Sequence, residues 1–343
     1  MKRLLSMLFI PLILLLSACG KAEPHTKTVL AMDTVMELTV YGDEAVLSDL
    51  ESELRRLEAL FSVTDSDSEI YAVNHIGRAD LSDDTDALLR SALSLCERTD
   101  GALDLTVYPV LRAWGFTTDY YTVPSAETID ALLPFVDYRR VHFEADSSAV
   151  WLETDTQLDL GSVAKGYAGE RLAAMLRARG VDSAILNLGG NVQTVGAKPD
   201  GSPWRTGIQS PGSEENLCIL SVRDKAVVTS GGYERYFEQD GQLYWHILDP
   251  STGYPAHSGL LSVTIVGDSG TLCDGLSTAL FVMGLDRAAE LYRQSDDFEA
   301  VLLTDDNVLY VTEGLWSCFT PTEGTPDDVR IITRSAPEGA DND

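Results

Sequence analysis

Apolar and polar residues alternate from 35 to 41, which predicts a β-strand. The period then changes. Leu47, Leu50, Leu54 and Leu57 recur at helical spacing and predict an amphipathic helix over 43–60. A second helix is predicted over 83–98, closed by Thr99-Asp100-Gly101, then a short helix over 124–133 and a hairpin over 141–152. A helix over 167–179, stopped by Gly180, leads into a strand over 183–188. Later strands are predicted over 217–222, 243–248 and 261–266, with a helix after Cys273. This order, without repeats or a Pro- or Ser-rich linker, reads as one α+β domain with antiparallel strands. From Thr320 onward Pro, Gly and Asp dominate and only 329–332 has ordering potential, so 321–343 reads as an acidic, flexible tail.

The first residues read as an address. Lys2 and Arg3 precede an apolar run over 4–16, too short for a comfortable membrane span. The run ends Leu16-Ser17-Ala18-Cys19-Gly20, which resembles a bacterial lipobox with Cys19 as the acylated residue. On that reading 1–18 is a signal peptide. A linker over 19–27 then tethers the domain to the membrane on its extracytoplasmic side, in the periplasm or outside the cell. An ordinary signal peptide with an incidental cysteine is the other reading. The remaining cysteines (96, 218, 273 and 318) show no CxxC spacing and read as buried thiols. With 343 residues and 44% hydrophobic content the chain can bury a large core. A formal charge of −29 excludes nucleic acid as a natural partner, and an acidic protein holding phosphates needs locally placed cations.

Candidate chemistry concentrates between Thr229 and Met283. Two residues separate His246 from the Asp249-Pro250 step, where the chain must leave its strand, and Ser251, Thr252, Gly253 and Pro255 form an irregular loop beside it. Asp274 and Thr278 lie four apart near the start of the predicted helix, so a carboxylate and a hydroxyl share one helical face. Oxygen ligands of this kind suit Mg²⁺, which keeps waters and substrate phosphates for its other positions. Asp274 is expected to be partly exposed. Upstream, LDLGSVAKGYAGE from Leu158 runs from a strand through a glycine turn into a helix carrying Lys165 in its first turn. A helix start with a lysine is an anion site suited to a diphosphate, although its small residues would equally serve close helix packing. Neither GxxxxGK[ST] nor GxGxxG occurs, which argues against a P-loop or a Rossmann cofactor site. Asn187-Leu-Gly-Gly-Asn191 reads as a turn.

Taken together these segments resemble the ApbE family of FAD:protein FMN transferases. The matching stretches are MDTVMELTVYG at Met32, LFSVTDSDSEIYAVN at Leu60, DGALDLTVYPVLRAWGF at Asp100 and LDLGSVAKGYAGE at Leu158. NLGGNV at Asn187, VVTSGGYERYF at Val227, HILDPSTGYPA at His246 and CDGLSTALFVMG at Cys273 complete the set, which spans about 28–320. The resemblance implies a T-fold-like α+β architecture of mixed antiparallel sheets with packed helices. It implies Mg²⁺-dependent cleavage of FAD, transfer of FMN to a threonine of an acceptor protein, and release of AMP. It implies FAD contacts from Met32, Ala102, Leu103, Asp104, Asp159, Lys165 and the backbone around Ile247. A metal site from Asp274 and Thr278, completed by Ser277 and an oxygen of Ser162, is implied as well. His246 matches the family's histidine and would take the proton from the attacking hydroxyl.

Several positions depart from the family pattern. Asp33 stands where glycine is usual, Thr64 where a tyrosine is frequent, Gly232 where Asp or Asn is common, and Cys273 and Gly275 where alanines flank the aspartate. Two other functions fit the same segments: an FAD pyrophosphatase with water as acceptor, and a non-enzymic FAD-binding lipoprotein. The acceptor pattern Asp-x-x-[Ser/Thr]-[Gly/Ser]-Ala-Thr is approached by Asp274-Gly-Leu-Ser-Thr-Ala-Leu280, but Leu280 replaces the reactive threonine. A separate acceptor protein is therefore expected.

Overall fold

The computed structural model describes residues 23–118 and 120–335. The proposed signal peptide and Cys19 lie outside the described residues. The helices are α1 (Val46–Phe61), α2 (Glu69–Ile76), α3 (Asp83–Arg98), α4 (Tyr108–Trp114), α5 (Ala126–Leu132), α6 (Ala164–Ala178) and α7 (Gly270–Arg293), of which α1, α6 and α7 pack directly on a nine-stranded sheet. In spatial order its strands are His25–Ala31, Thr34–Val40, Ser183–Asn187, Asn191–Gly196, Ala226–Gly231, Leu260–Gly267, Phe298–Thr304, Leu309–Thr312 and Val329–Ile332. Neighbours are antiparallel except the last pair, which is parallel.

Period-2 alternation sends side chains of this sheet into two cores. Met36, Leu38, Val228, Val263, Ile265 and Leu302 join the helical core with Leu50, Leu54 and Leu57 of α1. Val192, Val227, Val266, Val301 and Leu303 face a smaller sheet formed by Trp204–Gln209, Asn216–Val222 and Phe319–Pro321. Leu260–Gly267 is covered on both faces, which is why it reads as a largely apolar run broken only by the buried Ser262 and Thr264. A third cluster joins Val110, Trp114, Phe116, Ile129 and Leu248, with Phe237 and Tyr244 of an isolated hairpin packed against it.

Three boundaries are corrected. The expected linker over 19–27 overlaps the first strand, which begins at His25 and pairs with Thr34–Val40. The expected strand over 243–248 is two pieces, Gln242–Trp245 and Leu248–Asp249, with His246 in the break between them. The expected tail contributes Val329–Ile332 to the edge of the main sheet, and Arg334 then donates to Glu299 Oε1 (2.8 Å) and to the Phe298 carbonyl (3.2 Å). The ordered domain thus extends past Thr320. Ile332 fills the helical core and Arg334 neutralises Glu299, contacts that no local pattern announces.

Candidate active site

Helices α6 and α7 cross backbone to backbone at Gly166 and Gly270. A Cβ on Gly166 would overlap the Gly270 carbonyl oxygen, and one on Gly270 would overlap the Gly166 oxygen. This contact lets the Asp274 carboxylate accept the backbone N–H of Gly166 at 2.8 Å, at the start of α6. Asp274 is buried rather than partly exposed as the sequence predicted, because the second helix covers it. Burial pushes its pKa up, against the opposing pull of the Lys165 charge and the Gly166 N–H. One turn on, the Ser277 hydroxyl donates to the Asp274 carbonyl (2.8 Å) and lies 2.7 Å from Ser230 Oγ, which is 3.4 Å from Thr278 Oγ1. Ser277 is therefore fully buried and already engaged, and Ser230 is a fourth oxygen in the cluster. Ser162 sits half-buried in the turn before α6. Gly166→Ala is expected to pry the helices apart at an overpacking cost of at least about 1–3 kcal/mol. A thermal melt matching the wild type would contradict this.

His246 is held from both sides. Its backbone N–H (3.1 Å) and its Nδ1 (3.2 Å) both face the Arg235 carbonyl. A carbonyl can only accept, so Nδ1 carries the proton and Nε2 keeps its lone pair. The Phe116 ring sits edge-on to the imidazole, with centroids 6.4 Å apart. Beyond it Asp249 Oδ1 accepts from Ser251 N (2.8 Å) and Ser251 Oγ (2.7 Å), and Trp114 Nε1 donates to the Gly253 carbonyl (2.8 Å). The imidazole keeps a solvent-facing edge but is enclosed at longer range. Burial, then the charges of Lys165 and Arg235, lower its pKa to about 4 despite the Arg235 carbonyl. Its Nε2 is free to accept a proton at neutral pH.

The other expected positions occupy three segments. Asp159 donates its backbone N–H to the Leu105 carbonyl (2.8 Å), and its carboxylate accepts from Gly161 N (2.8 Å). Ala102 and Leu103 are buried beside it in the loop after α3. The Asp104 carboxylate is saturated by Thr106 N (2.8 Å), Thr106 Oγ1 (2.6 Å) and Tyr138 N (2.9 Å), which leaves its main chain as the part open to a ligand. Lys165 is the second residue of α6, half-buried, with no carboxylate partner among the described residues. Ile247 is buried and its carbonyl accepts from Ala256 N at 2.9 Å.

Met32 lies at a two-residue hairpin tip, its N–H donating to Glu58 Oε1 of α1 at 2.6 Å. Both Met32 (φ 48°) and Asp33 (φ 57°) are left-handed, as a turn matching strand twist requires, and Asp tolerates that region. The Asn187–Asn191 turn packs on this tip: a Cβ on Gly189 (φ 69°) would overlap Thr34 Oγ1. That turn ends at Asn191, whose buried amide faces the Asp274 carboxylate and helps to hold down its pKa.

These groups share one electrostatic neighbourhood: the Lys165 charge acts on Asp159, Glu234, His246 and Asp274, and the Arg235 charge on Asp159 and His246. The ApbE family's sequence model matches residues 32–302. The chain belongs to the ApbE family. An FAD:protein FMN transferase of Treponema pallidum is 32% identical over 87% of this chain and 90% of its own length. One from Klebsiella pneumoniae is 32% identical over 87% of this chain and 95% of its own. The crystal structure of the ApbE protein from Thermotoga maritima aligns with TM-score 0.82 and 32% identity, covering 86% of this chain and 99% of that one. The apo flavinyl transferase ApbE of Pseudomonas stutzeri aligns with TM-score 0.78 and 30% identity, over 88% and 98%. These relatives also bear out the α+β class.

Two of this ApbE chain's departures have local physical reasons. A Cβ on Gly275 would lie 2.7 Å from Leu95 Cδ1 and 3.3 Å from both Leu103 Cδ2 and Val163 Cγ1, so larger neighbours occupy that space. A Cβ on Gly232 would lie 2.9 Å from the Trp245 ring. Sequence reasoning assigned no role to Ser230, Glu234 or Arg235, although all three stand in the matching TSGGYERYF. The available signal was a polar Glu-Arg pair following two glycines at the end of a buried strand. Glu234 is exposed, yet desolvation by the surrounding chain and the Asp274 charge push its pKa up to about 7 against the pull of Lys165.

Proposed function

We propose that the chain is an FAD:protein FMN transferase: it cleaves FAD and joins FMN through a phosphoester to a threonine of an acceptor protein, releasing AMP. The observation that carries this reading is that Lys165 acts at once on the Asp274 carboxylate and on an imidazole with a free Nε2, in a chain of this family. Asp274, Thr278 and neighbouring hydroxyls are hard oxygen donors, and the buried carboxylate has no cationic side chain bonded to it among the described residues, a donor set that fits Mg²⁺. Ser277 and an oxygen of Ser162 are assigned to the same site. When bound, Mg²⁺ would neutralise phosphate oxygens and the charge on departing AMP. The chain's residues do the remainder. Lys165, at the positive start of α6, draws in the diphosphate. Met32, Asp159 and the main chain of Ala102, Leu103, Asp104 and Ile247 orient the nucleotide. His246 Nε2 accepts the acceptor threonine's proton as its oxygen bonds to the phosphorus on the riboflavin side. The P–O bond to AMP breaks, and its electron pair leaves on the AMP oxygen.

The acceptor is a separate protein. Asp274–Leu280 lies within α7, and Leu280 is fully buried in the core. We place this chemistry on the extracytoplasmic face of the membrane, with Cys19 as the lipid anchor. Incubation with FAD, Mg²⁺ and an acceptor domain tests the reading: AMP release should require the acceptor. Acceptor-independent release of FMN and AMP would instead mark a pyrophosphatase, and intact FAD a carrier.

The cleft also sets a pH dependence. Glu234 gains its charge as pH rises through about 7, beside the position of a dianionic diphosphate, so FAD affinity should fall above that pH. Glu234→Gln should flatten the upper limb. Titration of FAD binding between about pH 5.5 and 8.5, about one and a half units on either side of the transition, checks this. An identical limb in the variant would contradict it.

A further inference from the structure

The turn between strands Ala226–Gly231 and Tyr236–Gln239 is held at both of its ends. The Tyr233 ring fills the space a Cβ on Gly231 would need, and Trp245 does the same for Gly232. Arg235 gives its carbonyl to both His246 N and His246 Nδ1. Its backbone is therefore pinned beside the base, while its side chain is exposed. No carboxylate pairs with the guanidinium among the described residues, although Glu234 adjoins it and the chain holds 54 acidic against 25 basic residues. Many arginines elsewhere pair with acids, as Arg56 does with Glu53 and Asp84, Arg98 with Asp297 and Arg334 with Glu299, while Arg112 and Arg223 bond instead to the Gln157 side chain and the Gly201 carbonyl. Arg235 shares its electrostatic surroundings with Lys165, since both charges act on Asp159 and on His246. An unpaired planar fork on a fixed backbone, in reach of the base and the diphosphate lysine, suits bidentate binding of phosphate oxygens.

We infer that the Arg235 guanidinium is a second cationic contact for the diphosphate of the flavin nucleotide, acting with Lys165. This rests on the flavin-transfer reading and adds to it. One residue then performs two tasks. Its carbonyl sets the tautomer of the base, and its side chain holds the phosphates to which the acceptor oxygen must come. The first task is main-chain and survives any side-chain change, so substitution isolates the second.

The test measures binding of FAD, ADP and uncharged riboflavin to the full domain and to Arg235→Met and Arg235→Lys. Loss of a charge-assisted contact should weaken FAD and ADP binding by roughly ten- to a hundredfold in Arg235→Met, with riboflavin unchanged. Arg235→Lys should fall between, because it keeps the charge and loses the fork. FAD binding by Arg235→Met should also depend less steeply on salt. FAD affinity within about twofold of wild type, or an equal loss for riboflavin, would overturn the assignment. Failure of the wild-type protein itself to bind FAD would instead sink the flavin-transfer reading, and this inference with it.

Discussion

His246→Asn is expected to lower FMN transfer by about two to four orders of magnitude, the usual contribution of a general base. The asparagine amide nitrogen can still donate to the Arg235 carbonyl that now accepts from Nδ1, so the break between Gln242–Trp245 and Leu248–Asp249 should keep its shape. What disappears is Nε2, the only part of the side chain with a free lone pair. FAD affinity should change by less than about threefold, since no charge is lost from an imidazole already neutral at pH 7. Single-turnover transfer and FAD titration separate the two quantities. Unchanged turnover with weakened FAD binding would make His246 a binding residue.

Asp274→Asn should abolish metal-dependent transfer and yet raise the thermal stability of the metal-free protein. The sign follows from the raised pKa. The folded protein holds the Asp274 proton more tightly than the unfolded chain does, so stability is lost as pH rises from the ordinary carboxylate range through the folded value. Ionising this buried carboxylate is therefore a cost that bound Mg²⁺ would offset. Asparagine keeps an acceptor for the Gly166 N–H without that charge; alanine would strand the N–H. Thermal melts should show Mg²⁺ stabilising wild type only, and the variant exceeding metal-free wild type at pH 7.5 but not near pH 4. A variant that still responds to Mg²⁺, or that melts below metal-free wild type at pH 7.5, would contradict the assignment.

Elements that bury one face over several turns were legible in the sequence. The leucines of α1 and the doubly covered run of Leu260–Gly267 declare themselves by spacing alone. His25–Ala31 did not, because it is an edge strand with five residues not buried and Lys27 near its middle. Within the cleft, residue type pointed to Asp274, Lys165 and His246. Their surroundings were invisible, since Gly166 meets Asp274 across 108 positions and the base is held from Arg235. The capping of the turn at Leu105–Val107 by the Asp104 carboxylate was equally hidden. A single sequence cannot tell a saturated carboxylate from a free one.

The most direct test of the account is the intact mass of an acceptor domain incubated with this protein, FAD and Mg²⁺. The account predicts one added FMN, mapped to a threonine, absent with His246→Asn or Asp274→Asn, and no adduct on this chain. FMN and AMP free in solution beside an unmodified acceptor, or an FMN adduct on a serine or threonine of this chain, would contradict it.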